Sequence, residues 1–202
     1  MRYIKSVGLA LALLAAVALV VAAAPASATV LCKVAFPSTC GFANHLGPGT
    51  KISSHLKTGT RAVLSNEFGE EFMECQESTF DLITTNTGGI GQTVTADTET
   101  FSWGNCSNVA PVVLKKPTLV LHWTTGNNGT ITESGLEISV GPSCTYGALG
   151  EQTVGPLTGG NPAQIDMNIV LARITGIICP PKLSFQGIYE VTSPKPLYVT
   201  AS

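Results

Sequence analysis

Charge is scarce in this chain: Lys, Arg, Asp and Glu make up 12% of its 202 residues, with 11 basic residues against 13 acidic ones. The basic residues stand singly apart from the pair Lys115-Lys116. They form no stripe that could track a phosphate backbone, so nucleic acid is not an expected partner. Only three histidines occur, His45, His55 and His122, and none is spaced at i, i+2 or i, i+4 from another. That spacing argues against a local metal motif, and each histidine is expected to be a satisfied surface or sheet residue. There is no Cys-x-x-Cys, which removes the usual zinc knuckle. No Gly-x-Ser-x-Gly marks a serine nucleophile. After the N-terminal segment there is no second long apolar run, no polybasic tail and no sustained helical periodicity.

What the sequence does have begins at its N-terminus. Arg2 and Lys5 precede an apolar, alanine-rich run over residues 7–24, and Ala26-Ser27-Ala28 is the small-x-small pattern of a signal-peptidase site. Residues 1–28 are therefore expected to be a signal peptide of bacterial style, and 29–202 a single secreted domain. Bulky Leu31 before Cys32 argues against a lipidated cysteine. Without the first 28 residues the chain keeps nine of its basic residues against 13 acids, a net charge of −4. No stable membrane insertion is expected after cleavage.

The 29–202 segment is rich in threonine and punctuated by glycine and proline. Threonine's branched Cβ suits a pleated surface. Two-residue alternation recurs, most clearly where Ile165, Met167 and Ile169 fall on one face and Gln164, Asp166 and Asn168 on the other. Residues 118–123, the turn Gly126-Asn127-Asn128-Gly129 and residues 130–132 read as a hairpin. Further strands are read at 51–56, 61–65, 72–76, 80–85, 98–103, 183–191 and 197–201. The expectation is an all-β domain of about ten short strands, an antiparallel, jelly-roll-like sandwich or a barrel. Short strands and few aromatics (6%) argue against an outer-membrane barrel.

Six cysteines, Cys32, Cys40, Cys75, Cys106, Cys144 and Cys179, follow the leader. An even number in an exported chain points to disulfides. Sequence cannot choose among their pairings. The least demanding scheme is sequential, Cys32–Cys40, Cys75–Cys106 and Cys144–Cys179. In the chain-entropy picture those three loops contribute roughly 2.6, 3.7 and 3.8 kcal/mol, an upper estimate.

Other candidates weigh less. Ser54-His55-Leu56-Lys57 and Lys57-Thr58-Gly59 match two signatures of penicillin-recognising enzymes. Both claim the same lysine, whereas the chemistry needs them on separate elements. Glu67, Glu70, Glu71, Glu74 and Glu77 could hold a cation, but a charged strand edge explains them as well. Trp123 with His122 is the tentative ligand surface, since a flat ring with a polar handle suits sugars and proteins. Asn105-Cys106-Ser107 and Asn128-Gly129-Thr130 fit the glycosylation pattern, which matters only in a host that reads it.

Several short motifs together resemble a wider group. They are Cys32 to Cys40 after the leader, Gly49-Thr50, Gly59-Thr60-Arg61-Ala62-Val63-Leu64, and Cys75 followed by Ser78-Thr79. Phe101-Ser102 before Cys106, Cys179-Pro180, and Tyr189 with Pro194-Lys195-Pro196-Leu197-Tyr198-Val199 complete the set. The chain resembles uncharacterised secreted, disulfide-containing all-β proteins of actinobacteria and related high-GC bacteria. The resemblance implies export, an all-β domain and disulfides, and it imports no activity, cofactor or site residue.

The expectation for function is a secreted, non-enzymatic β-domain with no cofactor, binding cell-wall, polysaccharide or protein material or serving structurally. Two alternatives stand beside it. One is a secreted hydrolase using His45, His55 or His122. The other is a fibre or array subunit that assembles through the edge of residues 197–201.

Overall fold

A computed structural model describes residues 28–35 and 40–202. The expected signal peptide lies outside the described residues except for Ala28.

The described chain is almost entirely strand. In order, β1 is Thr29–Cys32, β2 Lys51–Leu56, β3 Ala62–Asn66, β4 Glu71–Thr84 and β5 Val94–Cys106. Next come β6 Val112–Lys115, β7 Thr118–Thr125, β8 Asn128–Ser134, β9 Glu137–Val140 and β10 Cys144–Gly147. β11 Gln152–Thr158, β12 Gln164–Thr175, β13 Lys182–Ser193 and β14 Tyr198–Ala201 complete the set. A 3-10 turn at Phe42–Asn44 is the one helical element among the described residues.

The main ladder closes on itself. β4, β5, β7, β8, β11, β12 and β13 pair in succession, all antiparallel. β2 and β3 lie end to end and fill the last stave, each pairing with β4 on one side and β13 on the other. Expectation allowed a sandwich or a barrel of about ten short strands. The structure has fourteen strands and a closed wall, and four of the strands run 12 to 14 residues. Toward its C-terminal end β12 changes partner from β11 to β10, and β9 and β6 extend the sheet from there.

Alternation decides which face is core. On β12, Ile165, Met167, Ile169 and Leu171 are buried while Asp166, Asn168 and Val170 are exposed. On β13, Leu183, Phe185, Tyr189 and Val191 point inward. The interior is one apolar cluster. Inside it, Phe101 lies 5.0 Å from Phe80, 4.3 Å from Trp103 and 5.6 Å from Phe185, ring centre to ring centre. The outward positions of β12 and β13 are mostly polar, the reverse of a lipid-facing barrel wall.

A two-stranded ribbon of β1 and β14 covers the end of the barrel where β7 turns into β8. All four residues of β1 are fully buried. Thr29 Oγ1 accepts the Trp123 N–H at 2.8 Å, and the Val199 N–H donates to Asn127 O at 3.1 Å. Three disulfides join Cys32 to Cys40, Cys75 to Cys106 and Cys144 to Cys179. The second links directly opposed residues of β4 and β5, and the third ties the start of β10 to the β12–β13 loop.

Candidate functional site

The three histidines singled out from the sequence lie apart, while Ser54 and Lys57 share the β2 segment with His55. His45 Nε2 lies 2.7 Å from Cys40 O beside the 3-10 turn. His55 sits on β2 opposite Glu190 of β13 and Thr79 of β4. His122 Nε2 lies 3.5 Å from Thr132 Oγ1 on the neighbouring strand. The three histidines therefore occupy three separate places.

Trp123 and His122 do not combine into one surface. Adjacent positions on a strand face opposite ways. Trp123 packs against the core, and its Nε1–H donates to Gly126 O at 3.0 Å, closing the β7–β8 turn. Its own N–H is held by Thr29, so the residue joins the hairpin to the ribbon.

Ser54 and Lys57 are likewise committed. The buried Ser54 hydroxyl donates to Phe80 O at 2.6 Å, while Lys57 Nζ donates to Gln164 Oε1 at 2.8 Å. The Lys57-Thr58-Gly59 segment is the loop that carries the chain from β2 to β3.

The acidic segment spreads its carboxylates. Glu70 accepts from Asn66 Nδ2 at 2.8 Å, Glu74 pairs with Arg61, and Glu77 accepts from Asn105 Nδ2 at 2.6 Å. Among the described residues, no three His, Cys, Asp or Glu side chains converge as a cation site.

The structure adds features that motif reading missed. Glu133 is 1% exposed on the inward phase of β8, two residues after buried Ile131. Its carboxylate accepts from Gln152 Nε2 at 2.7 Å and from the Leu136 N–H at 3.3 Å. Burial pushes its pKa above the usual carboxylate value, and these two hydrogen bonds oppose the shift. An acid in step with Ile131 was the available signal. Tyr146 is fully buried on β10 with no hydrogen-bond partner for its hydroxyl, and burial raises its pKa.

Depressions mark the outer wall of the described residues. One of about 380 Å³ lies over β12 and β13 and is lined by polar groups that include Arg61, Asp166, Asn168 and Gln186. Another, about 430 Å³, follows the seam where β6 runs beside β5 without pairing to it. Trp103 lines this seam, and its Nε1–H is buried without a hydrogen-bond partner.

Neither a family model, nor a curated protein, nor a solved structure matches the chain.

Proposed function

We propose that this protein is an exported bacterial β-domain that works outside the cell by binding or as a structural element, without catalysis of its own. The observation that carries this reading is the fate of the candidate catalytic groups. His45, His122 and the β2 segment with Ser54, His55 and Lys57 stand at three places, and the side chains of His45, His122, Ser54 and Lys57 are each held by a framework hydrogen bond. A packed interior and three disulfides supply a rigid scaffold suited to an oxidising exterior. The depression whose mixed lining includes Arg61, Asp166, Asn168 and Gln186 beside Val63 and Ile188 offers donors and acceptors that suit polysaccharide hydroxyls or a protein surface.

The test is retention of the purified protein on insoluble cell-wall and polysaccharide material, repeated with Asp166→Ala/Gln186→Ala. Binding that falls at least tenfold in the variant supports the reading. Hydrolysis of such material that disappears when all three histidines become alanine would replace it with the hydrolase.

Assembly through a strand edge is a second reading, but the edge differs from the one expected. β14 has β1 on one side, and Leu197 and Val199 bond Gly160 and Asn127 on the other. The segment 197–201 is thus no free edge. β6 pairs with β9 alone and exposes Val112 and Leu114. Pro111, Lys115 and Lys116 flank that edge, and such residues discourage strand addition. A concentration-dependent oligomer lost on Val113→Pro would favour assembly there.

A further inference from the structure

The barrel wall is left unpaired along one stretch of β5. β7 pairs with β5 from Val94 to Asp97, and just beyond that ladder the Thr98 N–H donates to Pro117 O at 3.3 Å. From Glu99 to Cys106, β5 has β4 on one side and no paired strand on the other. β6 runs past that open side but pairs with β9. Pro111 and Pro117, which have no N–H to give, bracket it. The β5–β6 loop is anchored on β4, the opposite neighbour. There the Ser107 N–H donates to Glu74 O at 2.8 Å, and Asn108 Nδ2 donates to Phe72 O at 3.2 Å. The stretch left open is the seam of about 430 Å³.

Two side-chain bonds show which main-chain groups face the seam. The Ser78 hydroxyl on β4 donates to Ser102 O at 2.8 Å, so Ser102 turns its main chain toward β4. On the open side Lys116 Nζ donates to Glu99 O at 2.6 Å, standing where the N–H of a neighbouring strand would stand. Main-chain groups alternate in direction along a strand, so Phe101 and Trp103 turn their N–H and C=O to the seam. Among the described residues no strand takes them up. The Trp103 indole adds one more donor. Its ring lies 4.3 Å from that of Phe101, and its Nε1–H is buried in the wall of the seam without a hydrogen-bond partner.

We propose that the seam binds an extended segment of another polypeptide, which adds to β5 as a strand. The main-chain groups select this occupant. Phe101 and Trp103 each present a donor and an acceptor, two residues or about 6.8 Å apart. An extended main chain repeats its own donor and acceptor at that interval, whereas sugars and lipids do not. Side chains of such a strand alternate between the wall and solvent. Those turned to the wall meet Trp103 and Val113, both packed against the core, so apolar residues suit these positions and polar ones the others. A second copy of this chain is ill suited to supply the strand. Its β14 is paired on one side and bonded on the other, and its β6 is flanked by prolines and lysines. The site lies apart from the depression over β12 and β13 and stands whether or not that depression binds anything.

The test is titration of the secreted protein, disulfides formed, with an acetylated and amidated heptapeptide of alternating threonine and valine, followed by amide NMR. The Phe101 and Trp103 amides and the Trp103 indole N–H are expected to shift. Solvent exchange of the two amides should slow by at least about tenfold at saturation. The same peptide N-methylated at every internal residue should move none of these signals, because it cannot pair as a strand. Trp103→Phe removes the indole donor and should weaken binding by about two- to tenfold. An unchanged amide spectrum away from β5 would show that this variant is folded, and unchanged affinity would overturn the part given to the indole. No shift at β5 on adding the peptide, or equal binding of the N-methylated peptide, would overturn the proposal. So would the same shifts arising in the protein alone as it is concentrated, because the occupant would then be a second copy.

Discussion

The Ser78 hydroxyl lies 2.7 Å from the Tyr189 hydroxyl, joining β4 to β13 across the point where β2 has ended and β3 has yet to begin. Ser78 Oγ in turn donates to Ser102 O at 2.8 Å, so the phenol donates and the serine relays. Tyr189 reaches this gap because its ring lies back over Gly187. A Cβ there would stand 3.0 Å from Tyr189 Cε2. Burial drives the phenol well above its ordinary pKa, with the Ser78 bond opposing, and it stays protonated as a donor.

Removing each hydroxyl should have unequal effects. Tyr189→Phe leaves Ser78 bonded to Ser102 and should cost about 1 kcal/mol. Ser78→Ala strands a buried phenol and should cost up to about 3 kcal/mol. The double variant should cost less than the two single changes added together. Urea denaturation of all four proteins checks this, and strict additivity would contradict the relay.

Glu133 sets a pH dependence. Its folded pKa lies above the unfolded value, so the folded state holds the proton more tightly. Its contribution to stability is therefore fully present below the unfolded carboxylate pKa and is lost as pH rises through the folded one. Glu133→Gln should remove that slope and raise the melting temperature near neutral pH. Melting curves of parent and variant from pH 4 to 8, roughly the carboxylate titration window and above, test it. Parallel curves across this range would rule the effect out.

Gly88 is where the β4–β5 loop meets the ribbon. Its φ is +67°, and an added Cβ would lie 1.9 Å from Thr29 O. Gly88→Ala should displace β1 at a cost above about 1 kcal/mol. Amide exchange should speed up at β1 and β14 before it does in β12 and β13. Uniform acceleration throughout the barrel would contradict a local role.

The disulfide between Cys144 and Cys179 should support the β12–β13 loop as well as overall stability. Replacing both with alanine should cost up to roughly 3.8 kcal/mol in the chain-entropy picture. Urea denaturation of parent and variant checks this. Unchanged stability would contradict it.

Much of the fold was legible because two-residue alternation is a direct readout of a half-buried strand. β12 and β13 follow it without interruption. The strand count fell short where the alternation slips. On β4 the buried positions run Met73, Cys75 and then Ser78, Phe80, Leu82, with Gln76 and Glu77 both exposed between them. Read as sequence, that slip divides one strand into 72–76 and 80–85. In the structure it is the site where β3 gives way to β2 as partner. β5 slips similarly between Thr98 and Phe101.

The candidate site was much less legible. Trp123 carried the look of a ligand platform because its Gly126 partner, three residues away, becomes evident only once the turn has formed. Phe68, Val109 and the pair Ile177-Ile178 gave no signal because they are few and lie far apart in sequence. Strand register alone brings their loops to one end.

The central claim, an exported and fully oxidised domain, is tested most directly by intact mass and N-terminal sequencing of the protein recovered from outside its host cell, alkylated without reductant. The account predicts a chain beginning at Thr29, a mass lower than the reduced form by the six hydrogens of three disulfides, and no alkylated cysteine. A retained leader, or a thiol that takes up the label, would contradict it.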